Sequence, residues 1–381
     1  MKAKSLFSLA IIVMALAGCS ENEITEQNPD ANKPIGFDTY TAAQARGAEN
    51  GLPAVKTSGF GVMAYQTNGA YSTAGAKSEF MNNQKVTWNS SGNAWVYSPV
   101  KFWPAGANDK ISFFAYAPYA GSNGITPVSA DVSNNPKVKF ELQTNQKNMV
   151  DLVVSDPTDG SNNTMDKNST SGTVNFKFLH PLTRVAMEAK TGTDISANTD
   201  TKVFITAVSL IHTSKLNSKG TLDMKALTWA SNTSDYLTSP YALTAASSNG
   251  ILNLTAANFA GYTTSSIDIS SAGTTATSLF PANEYLFLLP VSNATGTAAA
   301  GDVQVKIAYD MVNKTGAATH TKSSVEKTVN LPAGVFKKGT AQKFTFTVSL
   351  NAISFNVTTV EGWGTESDTP VTVQYPDVTK R

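Results

Sequence analysis

The stretch Ile111-Ser112-Phe113-Phe114-Ala115-Tyr116-Ala117, bounded by Asp109 and Pro118, decides the fold class. A short apolar, aromatic-rich run between such residues is written like a strand. Working outward, Val174, Phe176 and Phe178 alternate with Asn175 and Lys177, and Phe60, Val62 and Ala64 do the same earlier in the chain. Val86 with Trp88, Trp95 with Tyr97, Val138 with Phe140, and Leu152 with Val154 supply further candidates. No amphipathic stretch in this half outlasts about two helical turns, which limits helix to below about 15% of residues. The second half keeps the pattern: Val203, Ile205 and Ala207; Leu222 and Met224; Tyr285 to Leu289; Val303, Val305, Ile307 and Tyr309; Val325 and Val329. Phe344, Phe346, Val348 and Leu350 face Ile353, Phe355 and Val357 across Asn351-Ala352, as a hairpin or as one bulged strand. The expectation is an all-β chain of sandwich or barrel type. The polar bridge 190–202 divides it into an N-terminal domain, 47–190, and a C-terminal domain, 203–381.

Composition narrows the chemistry. Among 381 residues, 29 Lys and Arg balance 28 Asp and Glu, and charged residues make up only 15%. There is thus no basic field for nucleic acid. With one cysteine and three histidines (His180, His212, His320), neither a disulfide nor a four-ligand zinc site is expected.

The start of the chain reads as an address. Lys2 and Lys4 precede an apolar run from Leu6 to Ala17, too short to span a bilayer and shaped like a signal peptide covering 1–18. Leu16-Ala17-Gly18-Cys19 resembles the bacterial lipobox, placing the chain's single cysteine where diacylglyceryl transfer requires it. Cys19 is the expected lipidation site, and two acyl chains are enough for lasting membrane attachment. Residues 19–46 then read as a tether holding one period-2 strand, in which Ile35, Phe37 and Thr39 alternate with Gly36 and Asp38. Arg46, followed by Gly47, lies in a small-residue polar segment without an apolar face. Exposed loops of this kind are where proteolysis concentrates, although a solvated linker arginine reads equally well.

Catalytic patterns are sparse. No G-x-S-x-G, G-x-G-x-x-G or Walker sequence occurs. The Lys-Thr-Gly triplets at 190–192 and 314–316 both precede Ser324-Val325-Glu326-Lys327, the reverse of the order in penicillin-binding proteins. No enzyme activity, catalytic residue, metal or cofactor is expected. Asp156, Asp159 and Asp166, with Asn162 and Asn163, carry Ca²⁺-type oxygens without EF-hand spacing, and a solvated turn is preferred. Trp88, Trp95, Trp103, Tyr97 and Tyr119 are compatible with a sugar-stacking platform, but core positions in strands are favoured.

Taken in order, these features resemble the fimbrillin-like proteins of Bacteroidales. The resemblance rests on the lipobox, Ile35-Gly36-Phe37, Arg46, Phe102-Trp103-Pro104, Ser112 to Pro118, Asp151-Leu152-Val153, Val174 to Val185, Pro281 to Tyr285, and Ile353 to Trp363. The acidic Ser20-Glu21-Asn22-Glu23 after Cys19 looks like the surface-export signals of Bacteroides-group lipoproteins. The resemblance implies two tandem β-sandwich domains of transthyretin-like topology in a subunit of cell-surface fimbriae that supports adhesion. It implies export to the outer membrane as a lipoprotein and cutting between Arg46 and Gly47 by an arginine-specific extracellular protease. It further implies removal of the Ile35 and Phe37 strand and polymerisation with other fimbrial subunits by strand exchange. Thr369 to Tyr375, with Val371, Val373 and Tyr375 on one side, becomes the possible donor strand, or else the closing edge of the C-terminal domain. The alternative function is a non-polymerising outer-membrane lipoprotein that binds glycan or protein ligands.

Overall fold

The computed structural model describes residues 31–41, 52–119, 123–159, 164–168, 173–212, 216–270, 275–290, 292–293, 296–297, 301–349 and 353–359. Cys19, Arg46, Gly47, Val371, Val373 and Tyr375 lie outside the described residues. The chain begins with β1 (Gly36–Thr41), β2 (Phe60–Asn68), β3 (Ser78–Asn89), β4 (Ala94–Val96) and β5 (Asp109–Ala117). Next come β6 (Ile125–Val128), β7 (Lys137–Glu141), β8 (Val153–Ser155), β9 (Thr173–Leu179) and β10 (Thr183–Thr191). The second half holds β11 (Thr201–His212), β12 (Lys219–Asp223), β13 (Thr228–Ala230), β14 (Tyr241–Leu243), β15 (Thr255–Phe259) and β16 (Tyr262–Asp268). It continues through β17 (Thr277–Ser278), β18 (Leu286–Leu288), β19 (Ser292–Asn293) and β20 (Gly296–Thr297). It closes with β21 (Val303–Gly316), β22 (Thr319–Asn330), β23 (Thr340–Val348) and β24 (Ile353–Thr359). The α-helices among the described residues, α1 (Leu52–Ser58) and α2 (Thr193–Ser196), span seven and four residues. The architecture is all-β, as the alternating pattern anticipates.

Seven strands form the first sheet, in the order β1-β9-β8-β5-β2-β3-β4. Its central strands β2 and β5 are buried on both faces. Phe60, Val62, Ala64, Phe113 and Ala115 join one apolar cluster, while Met63, Tyr65, Phe114 and Tyr116 join another. That double burial explains why Ile111–Ala117 reads as a nearly continuous apolar run. Gly61 makes the central packing possible, because a Cβ there would overlap the Tyr116 ring.

Among the described residues, β7 and β10 pair with strands beyond the middle of the chain. β7 pairs antiparallel with β12, and β10 pairs in parallel with β23 from Thr183 opposite Thr340 to Thr191 opposite Val348. A division after residue 190 groups β10 with the strands before it, yet its ladder neighbours are β17, β18 and β23, all later in the chain. Alternation marks a strand but carries no record of its partner. β23 and β24 pair antiparallel with Phe346 opposite Phe355, so two strands and not one bulged strand occupy this stretch, and the residues joining them, 350–352, lie outside the described ones.

Candidate functional site

The first sheet curls until its two ends approach, and β1 lies at the seam. One side of β1 pairs in parallel with β9, from Gly36 opposite Thr173 to Thr41 opposite Phe178. The other side, just before β1, meets the segment that follows β4. There the Ile35 N–H donates to the Lys101 carbonyl at 2.8 Å, Trp103 N–H to Lys33 at 3.0 Å, and Asn32 N–H to Trp103 at 3.1 Å. The backbone around β1 is therefore held from both flanks, without a hairpin turn to either neighbour.

Period-2 geometry sends Ile35, Phe37 and Thr39 to one face, and all three are buried, at 2%, 6% and 2% exposure. Phe37 is the anchor. Its ring stacks on Phe176 at 5.6 Å and lies 5.1 Å from Tyr97, with edge contacts to Phe113 at 6.1 Å and Phe60 at 6.2 Å. Burying such a side chain contributes roughly 1.5–3 kcal/mol. The Tyr97 hydroxyl donates to the Ile35 carbonyl at 2.7 Å and accepts from the Lys101 N–H at 3.2 Å, so one phenol clasps β1 to the wall of its seat. Burial pushes the Tyr97 phenol above its ordinary pKa. Thr39 is less well matched: its buried hydroxyl oxygen has no hydrogen-bond partner.

Beside the N-terminal end of β1 a furrow of about 470 Å³ remains open, lined by Lys33 to Gly36 on one side and by Trp95, Val96, Tyr97 and Val100 on the other. Exposed large apolar side chains gather here. Val96 and Val100, in the lining, are 41% and 46% exposed, and Phe102, bridged to Pro34, is 51% exposed.

The remaining candidates are scattered. Among the described residues no group of three or more His, Cys, Asp or Glu is arranged to hold a metal. Asp156 accepts from the Thr158 N–H and hydroxyl, whereas Asp166 accepts from the Tyr71 N–H at 2.6 Å, so these carboxylates act in separate turns. Asn162 and Asn163 lie outside the described residues. His180 Nδ1 sits 2.8 Å from Asp151 Oδ2 in full burial, His212 faces the Ser239 carbonyl, and His320 faces the Ala260 carbonyl. The Ser324 hydroxyl donates to Asp310 at 2.6 Å. Trp95 and Trp103 are buried at 8% and 1% exposure, placing them in the core and not on a sugar platform. Sequence reasoning missed Tyr97 as the clasp and Lys101 to Trp103 as the second flank, because periodicity marks strands without their partners.

Fold and site together define an all-β protein whose first core is closed at its seam by a strand from the N-terminal end of the chain. The fimbrillin-like profile matches residues 54–363, and the chain belongs to the fimbrillin-like family. It is 38% identical, across 98% of its length and 100% of the relative's, to the fimbrium subunit Fim1C of Phocaeicola vulgatus. Its fold is similar to the crystal structure of a fimbrial protein from Bacteroides vulgatus, with a TM-score of 0.74, 34% identity, and coverage of 87% of this chain and 100% of that one.

Proposed function

We propose that this chain is a structural subunit of cell-surface fimbriae, anchored at first through lipidated Cys19, cut between Arg46 and Gly47, and polymerised when a neighbour's strand takes the place of β1. The observation that carries the reading is the seating of β1 itself, since this strand closes an aromatic core and comes from the segment that such a cut would separate. Losing it would leave backbone groups unpaired at about 1–3 kcal/mol each and would open the Phe37 pocket to water. An incoming strand restores both, which is β-augmentation. Because donor and acceptor surfaces differ, the contact need not close on itself and a filament results. Val371, Val373 and Tyr375 are the proposed donor side chains.

The arginine inventory supports the processing step. The chain holds Arg46, Arg184 and Arg381. Arg184 is 8% exposed, with its guanidinium 4.5 Å from the centre of the Tyr285 ring, so a protease that requires an exposed arginine passes it by. The decisive experiment exposes wild type and Arg46→Ala to an arginine-specific protease. Wild type should shorten to a chain starting at Gly47 and form detergent-resistant ladders, while Arg46→Ala remains a folded monomer. A wild type that is cut at Arg46 and stays monomeric would overturn strand exchange.

A further inference from the structure

Cleavage after Arg46 cuts a covalent link without emptying the seat. The fragment that ends there would still hold β1 in its parallel ladder with β9, with Phe37 packed among Phe60, Phe113 and Phe176 and Tyr97 clasped on Ile35. Exchange therefore needs either spontaneous loss of β1 or a place where a second strand begins to bind while β1 is still seated. The furrow at the N-terminal end of β1 is such a place. It is continuous with the seat, since Ile35 and Gly36 form one wall and Tyr97, which clasps β1, stands in the other. It is also where Val96 and Val100 present exposed apolar surface, an arrangement that marks binding surfaces.

We propose that this furrow is the entry site for the incoming donor strand: the segment 369–381 of a second copy docks against Val96, Val100 and Tyr97 before β1 leaves, then displaces it from the Ile35 end. This rests on the strand-exchange reading above. The occupant is chosen because the furrow runs on from the strand seat, and because Val371, Val373 and Tyr375 repeat the i, i+2, i+4 spacing with which Ile35, Phe37 and Thr39 fill that seat. A docked valine competes for the Tyr97 wall, and loosening Tyr97 frees the Ile35 carbonyl first. Displacement then proceeds along β1 one ladder pair at a time, so the unpaired backbone never accumulates.

The test uses the chain from Cys19 to Arg381, produced without its signal so that unlipidated Cys19 carries a fluorophore, and cut at Arg46. Release of the labelled fragment is followed by anisotropy as a synthetic peptide of residues 369–381 is added at rising concentration. Docking before displacement predicts a release rate that climbs with peptide concentration above the rate without peptide. Val96→Asp and Val100→Asp should each lower that slope by about tenfold, the loss expected for a valine contact replaced by a charge. Val132→Asp, at a position 68% exposed outside the furrow, should leave the slope unchanged. Thermal melts of the uncut variants check that each is folded. A release rate independent of peptide, followed by stoichiometric peptide binding in native mass spectrometry, would overturn the entry site while leaving strand exchange intact. Furrow variants with the wild-type slope would do the same. No peptide in the seat at completion would overturn the donor assignment and the entry site together.

Discussion

Among the described strand ladders two are parallel and the others antiparallel, and the two parallel ones serve opposite ends. β10 and β23 share nine residue pairs, and the far side of β10 is covered by β17 at one end and β18 at the other. β1 and β9 share six, and among the described residues the far flank meets the segment after β4 through short backbone contacts of Asn32, Lys33 and Ile35 with Lys101 and Trp103. Both ladders join segments distant in sequence. The difference lies in attachment: β10 is continuous with β9 before it and β11 after it, whereas under the proposed cut at Arg46 β1 would be held to the rest of the chain by non-covalent contacts alone, namely its ladder, its core side chains, the Tyr97 clasp and the backbone bonds to Lys101 and Trp103. On the proposed reading, a strand of the second kind would be open to exchange, and one of the first kind would leave only by unfolding.

Truncating an anchor in each strand pair separates the two most sharply. Phe346→Ala, which truncates a fully buried side chain of β23, should cost about 3–5 kcal/mol in the uncut protein and persist as a defect in polymer. Phe37→Ala should destabilise the uncut protein on a similar scale. It should leave cut, exchanged polymer as stable as wild type, because the altered strand has gone. Denaturant melts before and after assembly separate the two. A Phe37→Ala polymer weakened as much as Phe346→Ala polymer would mean that β1 stays in the fimbrium.

The clasp gives a second, smaller contrast. Tyr97→Phe removes the bond to the Ile35 carbonyl while keeping the ring against Phe37, and should cost about 1 kcal/mol while quickening release of the cut fragment. Its titration has a definite sign. Because burial raises the Tyr97 pKa, the native state holds its proton after the unfolded chain has lost it. This contribution is intact below the ordinary tyrosine value near 10 and declines as pH climbs past it toward the raised folded value. Tyr241, in β14, is pushed up to about 12 by burial and should contribute a similar alkaline loss to the second half. Fragment release measured from pH 8 to 11 should accelerate in wild type and stay flatter in Tyr97→Phe, whereas Tyr241→Phe should follow wild type.

Much of this architecture was legible beforehand. Alternation at Val174, Phe176 and Phe178 located β9, and Ile35 with Phe37 located the strand at the seam, because a half-buried strand writes its faces into its own residues. Partnership leaves no such trace. Nothing in Thr183 to Thr191 says that β23, more than 150 positions later by numbering, is its neighbour. Nor does Trp95-Val96-Tyr97 declare that its tyrosine holds a segment sixty-two positions earlier. The seat is made of long-range contacts, so sequence reading recovered its occupant and missed its walls.

The finest test concerns three threonine hydroxyls on these two strands. Thr39, on β1, buries a hydroxyl with no partner; Thr183, on β10, donates its hydroxyl to the Lys337 carbonyl at 2.7 Å; Thr191, at the other end of β10, is again buried without a partner. Threonine and valine have nearly the same shape, so exchanging them isolates the hydroxyl. A buried hydroxyl without a partner keeps its desolvation penalty, while a bonded one returns a net stabilisation. Thr39→Val and Thr191→Val should each stabilise the uncut protein by about 1 kcal/mol, and Thr183→Val should destabilise it by a similar amount. The strands then part company on cutting. Thr39→Val should slow fragment release by about fivefold to tenfold, because a better-fitting β1 leaves its seat less readily. Thr191→Val should leave release unchanged despite its equal effect on the melt, since β10 does not move. If Thr191→Val slowed release as much as Thr39→Val, fragment loss would require global unfolding of the sheet, and β1 would be no more exchangeable than β10.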